Sequence, residues 1–351
     1  MVTPSETNRP VAAYVDAVVA EIAMEPEWAP LDAVNLGGGT PSTLDPPSLE
    51  RILAALGDRF GFVPGAEVSI EANPEDVTPA LAEALVDMGF NRISLGVQSL
   101  DAAVLGALGR EHDRRQAETA VAAVRSAGFR SVSIDLIFGA AGETQASWRA
   151  TMAAALDLSP DHLSAYGLTV EPGTALSRQI AAGGPSPDPD VQADDYEHLV
   201  EAVAGTGLVH YEVSNFAAPG HVCRYNLSTW AQGEYVAFGL GAHGHRDGVR
   251  RRNLRRLEAY LDRIADGNRP EAGTVRQDDW GREQERVLLG LRRRAGVAAG
   301  VAGMGLWESE EGERLAVAGV LRRDADRLVV TRPLLTDAVS RAVLSLSPRE
   351  C

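Results

Sequence analysis

The chain has 351 residues, 45% of them hydrophobic, enough for two or three sizeable cores in a globular protein. Its formal net charge of −16 argues against nucleic acid or an anionic membrane surface as a partner. All 33 basic residues are arginine, which excludes a Walker A loop, a pyridoxal Schiff base and a lysine nucleophile.

Residues 10–24 carry an apolar stripe of Val11, Tyr14, Val18 and Ile22 at helical spacing. Strand–helix units then recur up to about residue 215, and six apolar segments read as buried parallel strands. Each delivers a polar or glycine cluster just past its end. AVNL precedes Gly37-Gly38-Gly39-Thr40-Pro41, and VSI precedes Glu71-Ala72-Asn73-Pro74. ISLGV precedes Gln98, a second VSI precedes Asp135, LSAYGL precedes Thr169, and VHYEV precedes Ser214-Asn215. Helices are expected over roughly 47–57, 78–88, 101–127, 144–157 and 190–206, with Gly89, Gly128 and Gly207 as C-terminal caps and 183–190 as a loop. Polar groups at the carboxyl ends of parallel strands are how a β/α barrel builds a ligand site.

From 210 to 273 the pattern is less regular. YVAFGLGAHGH reads as a strand ending in a loop, and the arginines at 250, 251, 252, 255 and 256 read as a solvated helix start or turn. Beyond it, a helix, a β-hairpin and a further helix form a winged-helix-like pattern. Residues 275–351 hold 13 arginines and 12 acids, a net of +1, too balanced for a DNA reader and better suited to a packing lid. The expected organisation is α/β, with 1–273 as a barrel and its extension and 274–351 as a small winged-helix-like domain.

The two cysteines, Cys223 and Cys351, form neither a disulfide framework nor a CxxC knuckle. Apolar runs such as VAAYVDAVVAEIA are broken by charge and MVTPSETNRP is not a signal peptide, so the expected location is cytoplasmic, with no transmembrane segment.

Several residues are suited to chemistry. Glycines at 37–39 let a ligand approach the backbone, whose N–H groups can bind an anion or carboxylate; the alternative is an ordinary strand-to-helix turn. Glu71, Gln98 and Asp135 stand at the ends of successive strands, where carboxylates and an amide can hold an ammonium group or ribose hydroxyls. Any one of them alone could equally cap a helix or bond a loop. Arg110 suits a carboxylate partner or a surface ion pair. His221, Cys223, His243 and His245 lack tight metal-ligand spacing, so no metal site is expected. No residue is assigned as catalytic.

The ordered motifs GGGTP, SIEANPE, NRISLGVQS, LGREHD, VSIDLIFGAAGET, PDHLSAYGLTVEPGT, YEVSNFAAPGHVCRYNLSTW and FGLGAHGH resemble the radical S-adenosylmethionine family. Within it they resemble the coproporphyrinogen III oxidase-like group and its heme chaperones, from about residue 10 to the C-terminus. The resemblance implies an incomplete β/α barrel. It implies that Gly38, Gly39 and Thr40 bind the methionine part of S-adenosylmethionine. It places Glu71, Gln98, Arg110 and Asp135 at further cofactor contacts, with Thr169 near the adenine side. The implied function is binding heme and delivering it to acceptor proteins; the alternatives are an oxygen-independent coproporphyrinogen oxidase-like enzyme of porphyrin biosynthesis and a cofactor-dead binding protein.

The chain departs from that pattern twice. The family holds a [4Fe–4S] cluster on a CxxxCxxC loop after its first strand, and no cysteine occurs here before Cys223. The ligands of the family's cluster are therefore missing, and the intact downstream positions favour a misplaced start over a degenerate homologue. The heme-chaperone segment HNxxYW reads Tyr225-Asn226-Leu227-Ser228-Thr229-Trp230. Tyr225 can still ligate ferric heme as a phenolate, with Cys223 two residues away and His243 as a further candidate.

Overall fold

A computed structural model describes residues 9–348; Cys351 lies outside them. In chain order the elements are α1 (Arg9–Met24), β1 (Leu31–Leu36), α2 (Pro46–Phe60), β2 (Phe62–Ala72), α3 (Pro79–Asp87), β3 (Arg92–Gln98), α4 (Ala102–Ala107), α5 (Arg114–Ala127) and β4 (Ser131–Phe138). Next come α6 (Gln145–Asp157), β5 (His162–Gly167), α7 (Ala175–Ala181), α8 (Pro189–Val203), β6 (Val209–Glu212), β7 (Asn215–Ala217), α9 (Arg224–Trp230), β8 (His243–Arg246), β9 (Val249–Asn253) and α10 (Leu257–Ala265). The chain closes with β10 (Glu271–Arg276), α11 (Asp279–Gly290), β11 (Val297–Ala298), α12 (Gly300–Trp307), α13 (Glu310–Val317), β12 (Leu321–Asp324), β13 (Arg327–Val330) and α14 (Thr336–Leu344). They form two compact units, one of residues 35–43 and 68–222, the other of residues 9–34, 44–67 and 223–348.

A seven-stranded sheet has the order β1-β2-β3-β4-β5-β7-β6. β2 through β5 pair in parallel, as in an incomplete β/α barrel. Their sequences alternate. Ile93, Leu95 and Val97 on β3, Val132, Ile134 and Leu136 on β4, and Leu163 and Ala165 on β5 are fully or almost fully buried. The residues between them are polar or small: Arg92, Ser94, Gly96 and Gln98, then Ser131, Ser133 and Asp135, then His162, Ser164 and Tyr166. Side chains of a strand alternate between faces, so one face of the sheet is apolar and packs beneath helices, and the other is a polar row. A parallel sheet is ordinarily apolar on both faces, so the polar row makes this face the candidate site.

Caps stop and start the helices. Asp113 and Gln116 form a capping box at α5, and Thr144 and Ser147 form one at α6. The expected helix over 101–127 is two helices, because α4 stops at Ala107 and Asp113 restarts the chain as an N-cap. The sixth expected strand, β6, runs in the same direction as β5 but does not pair with it: it is a half-exposed edge strand whose partner is the antiparallel β7. β7 pairs antiparallel with both β5 and β6, so β6 and β7 form a hairpin at the sheet edge, and β7 lies inside β6. The two-residue link between β6 and β7 is too short for the crossover that a parallel strand requires.

In the second unit the arginines at 250–252 lie in β9, the central strand of the sheet β10-β9-β8, and only Arg256 starts a helix, as the N-cap of α10. Pairing with Glu285 and Glu271 neutralises Arg250 and Arg251, which a charge run alone does not reveal. Buried Glu21 on α1 ties this unit together, accepting from Tyr260 Oη at 2.6 Å, Asn253 Nδ2 at 2.6 Å and the Gly239 amide at 2.9 Å. Towards the C-terminus, α11 to α14 and the antiparallel sheet β11-β13-β12 enclose a core that includes Val287, Leu306, Leu328, Val339 and Val343. No helix among the described residues is long and apolar enough to cross a membrane.

Candidate functional site

The loop after β1 begins the site. Gly38 and Gly39 adopt φ of 76° and 102°, and a side chain added at either would meet nothing within 4 Å. The left-handed backbone explains the glycines, and the open space leaves the peptide groups approachable. Gly37 is different: a Cβ there would lie 2.4 Å from Glu71 Oε1. Glu71, near the end of β2, accepts from the Gly38 amide at 3.2 Å. Thr40 is half-buried, and its carbonyl accepts from Thr43 Oγ1 at 2.7 Å, which closes the loop.

Asp135 faces the same side from β4. Ser94 Oγ on β3 lies 2.8 and 2.7 Å from its two oxygens, and Ser133 Oγ donates to it at 3.0 Å. Burial raises the pKa of Glu71; the Gly38 amide lowers it, the Asp135 charge raises it and Asn35 lowers it. Burial likewise raises that of Asp135 against the serine hydrogen bonds. The two carboxylates therefore share one polar patch across β3, which contributes only Ser94 and Gly96 between them. Gln98 has φ of 62°, uncommon for a residue with a side chain. The strand pairing shifts at that point. Gln98 Nε2 would lie 2.9 Å from a Cβ at Gly96, and Asn73 Oδ1 3.8 Å, so small Gly96 lets both amides cross it. Arg110 donates to that same Asn73 Oδ1 at 3.3 Å.

The structure thus gathers Gly38, Glu71 and Asp135, and sets Gln98, Asn73 and Arg110 alongside. Thr169 is exposed in the turn after β5, bonded to the Gly167 carbonyl at 3.4 Å. Sequence reading gave Asn73 no role of its own and missed the row of Arg92, Ser133 and His162, all buried, with half-buried Ser94. The signal was present, since RISLGVQ and SVSIDLIF alternate polar and apolar residues where a buried parallel strand needs none. It also missed Glu143, in the loop after β4. One of its oxygens accepts from the Gly139 amide at 2.6 Å and the other is enclosed without a donor. Burial, opposed by those amides and reinforced by Asp195 and Asp101, pushes its pKa up to about 7.

The heme candidates lie in the other unit. Cys223 is buried, its thiol directed at Glu67 Oε1 at 3.6 Å, so it presents no open sulfur. Tyr225, in the first turn of α9, is 36% exposed and stands edge-on to Tyr235, ring centroids 6.5 Å apart. His243 on β8 is exposed; His245, two residues on, is buried with Nδ1 3.0 Å from the Gly233 carbonyl.

Two implied cofactors fit differently. The open glycine backbone beside the Glu71 carboxylate suits the carboxylate and ammonium of an amino acid, as S-adenosylmethionine carries. The donor set does not suit a [4Fe–4S] cluster: Cys223 is the one cysteine among the described residues, and no group of three or more metal-ligating side chains occurs among them.

A model of the radical SAM superfamily matches residues 3–155. The heme chaperone HemW of Mycobacterium tuberculosis H37Rv is 39% identical over 314 residues, covering 89% of this chain and 80% of its own. HemW of Lactococcus lactis IL1403 is 34% identical over 292 residues, covering 83% and 76%. The solved coproporphyrinogen III oxidase HemN of Escherichia coli, described as a radical SAM enzyme, superposes with a TM-score of 0.81 over 97% of this chain and 85% of that one, at 22% identity, which establishes a common fold. With the polar strand ends assembled on that fold, and identity of this degree along most of a HemW chain, the protein belongs to the radical S-adenosylmethionine superfamily and, within it, to the HemW family.

Proposed function

We propose that this chain binds heme and delivers it to acceptor proteins, on a radical S-adenosylmethionine scaffold whose cofactor face remains built. The observation that carries this reading is the 39% identity to a heme chaperone across 80% of that protein's length. Tyr225 and His243 are the candidate iron ligands: both are exposed, and a phenolate or a neutral imidazole suits ferric iron. Cys223 is a weaker candidate, because its thiol must leave Glu67 to reach a ligand.

On the other unit, S-adenosylmethionine would be held by Gly38, Gly39 and Thr40 at its carboxylate, by Glu71 at its ammonium and by Asp135 and Gln98 at ribose hydroxyls. Arg110 would orient Asn73 beside them, and Thr169 would lie towards the adenine. Bound beside a cluster, this cofactor supplies radical chemistry in the superfamily; the residues of this face bind and orient it.

The test is titration with ferric heme, followed by the Soret band, with Tyr225→Phe, His243→Ala and the double variant beside the parent. A saturable 1:1 spectrum that shifts and weakens in one of these variants supports the assignment. A spectrum unchanged in all three removes both residues. Loaded protein is then mixed with an apo-hemoprotein; retention of all heme by this chain overturns delivery.

A further inference from the structure

The polar face of the sheet holds an unbroken chain of hydrogen bonds that leads away from Asp135. Ser133 Oγ lies 3.0 Å from Asp135 Oδ1 and 2.8 Å from His162 Nδ1; His162 Nε2 lies 2.9 Å from Tyr211 Oη. Ser133 is wholly buried and His162 is 2% exposed. The chain crosses β4 and β5 and ends on the β6–β7 hairpin.

Its direction follows from the donor inventory. Burial raises the pKa of Asp135, and the hydroxyls of Ser94, Ser164 and Ser133 turned towards it favour its ionised form; that form only accepts, so Ser133 then spends its single proton on Asp135. Its bond to His162 then requires Nδ1 to be the donor. A neutral imidazole has one N–H, so Nε2 is bare and accepts from Tyr211. The imidazole is neutral for physical reasons: burial, then the positive charge of Arg92, lower its pKa well below the usual value. Buried Arg92 is held beside it by Ser131 Oγ at 3.2 Å and the His221 carbonyl at 2.8 Å. The other charged or titratable groups facing Asp135 are Glu71, Arg92 and Tyr166.

We infer that Ser133, His162 and Tyr211 are positioning residues that aim Asp135 and favour its ionised form, so that its remaining lone pairs accept from a ligand's donors, such as a vicinal diol. This rests on the reading that Asp135 contacts the cofactor. It adds that the hairpin carrying Tyr211 takes part in setting that contact, although Tyr211 is two hydrogen-bonded groups removed from it.

Nitrogen-15 NMR of the full chain labelled at histidine tests the chain of bonds without any ligand, with His162→Gln identifying the ring. The expected spectrum at pH 7 has Nδ1 protonated and Nε2 bare. Ser133→Ala should move the proton to Nε2, and Tyr211→Phe should raise the carboxyl titration midpoint of Asp135, followed by carbon-13. An Nε2–H or doubly protonated ring in the parent, or an Asp135 midpoint identical in Tyr211→Phe, overturns the inference; Tyr211→Phe removes only a hydroxyl, so loss of folding does not confuse the result. S-adenosylmethionine titration separates this from the cofactor reading. Asp135→Ala should abolish binding and Tyr211→Phe should weaken it about fivefold, the worth of roughly one hydrogen bond. If Asp135→Ala binds like the parent, the cofactor reading fails while the NMR result still decides the positioning role. If Asp135→Ala abolishes binding and Tyr211→Phe binds like the parent, the positioning role fails.

Discussion

Replacing Glu143 by glutamine should stabilise the protein at alkaline pH and hardly at all at acid pH. Glu143 accepts from the Gly139 amide at 2.6 Å and, more weakly, from Ala140 at 3.4 Å, while its second oxygen is enclosed without a donor. Burial, with Asp195 and Asp101 nearby, pushes its pKa from an ordinary 4.5 up to about 7. Between those values the folded protein holds a proton that the unfolded chain has released. Stability is therefore complete below the unfolded value and falls as pH rises through about 7, by roughly 1.4 kcal/mol for each pH unit between the unfolded and folded midpoints. The full interval sets a ceiling of about 3 kcal/mol, and partial exposure of the carboxyl reduces this to about 2 kcal/mol. Glutamine keeps an acceptor for Gly139, offers an N–H where a carboxyl oxygen has no donor, and carries no charge. Thermal unfolding at pH 5 and pH 8 measures the effect as the difference between variant and parent, which cancels the other titrating groups. We expect near equality at pH 5 and a gain of about 4–8 °C at pH 8 for a folding unit of this size. A variant that loses stability in parallel with the parent across that range would refute the reasoning.

Gly37→Ala should weaken S-adenosylmethionine binding about tenfold, because its Cβ would stand 2.4 Å from Glu71 Oε1 and displace a charge-assisted hydrogen bond worth roughly 1.5–3 kcal/mol. The atoms displaced are the ends of flexible side chains, so the melting temperature should hold within about 2 °C; unchanged affinity would remove Glu71 from the site. Glu21→Leu should cost about 3 kcal/mol or more, since Tyr260, Asn253 and the Gly239 amide each lose an acceptor in a buried place. A variant melting within about 2 °C of the parent would show that those donors find other partners. Reconstitution with iron and sulfide should leave this 351-residue chain without a [4Fe–4S] cluster, because it holds two cysteines, fewer than the family's three. Stoichiometric iron with the visible absorbance of such a cluster would contradict this.

Much of the candidate site was legible because a strand has a strict two-residue period. Once VSI and ISLGV are strands, Glu71 and Gln98 fall at or next to carboxyl ends; Asp135, expected at an end, lies inside β4, which continues to Phe138, and the two-residue period still sets it on the polar face. The glycine loop was legible for a comparable reason: backbone at φ of 76° and 102° is costly for any residue with a side chain. The hairpin of β6 and β7 was not, because VHYEV has the same local pattern whether its neighbour runs parallel or antiparallel. Only the partner strand decides, and that partner is β7, three residues long.

The sequence by itself determined which residues share a face and where strands end, since these depend on backbone geometry over a few residues. Tertiary structure decided what each polar side chain meets. Glu21 finds its partners 218 to 239 residues away, Trp148 donates to the Asp195 carbonyl 47 residues on, and His162 joins Ser133 to Tyr211 across separations of 29 and 49. Burial turns those meetings into chemistry, because removal from water raises the pKa of Glu143, holds His162 neutral and leaves each buried donor in need of one particular acceptor. No property of a residue taken alone carries that information; it arises when the packed chain excludes water around specific pairs.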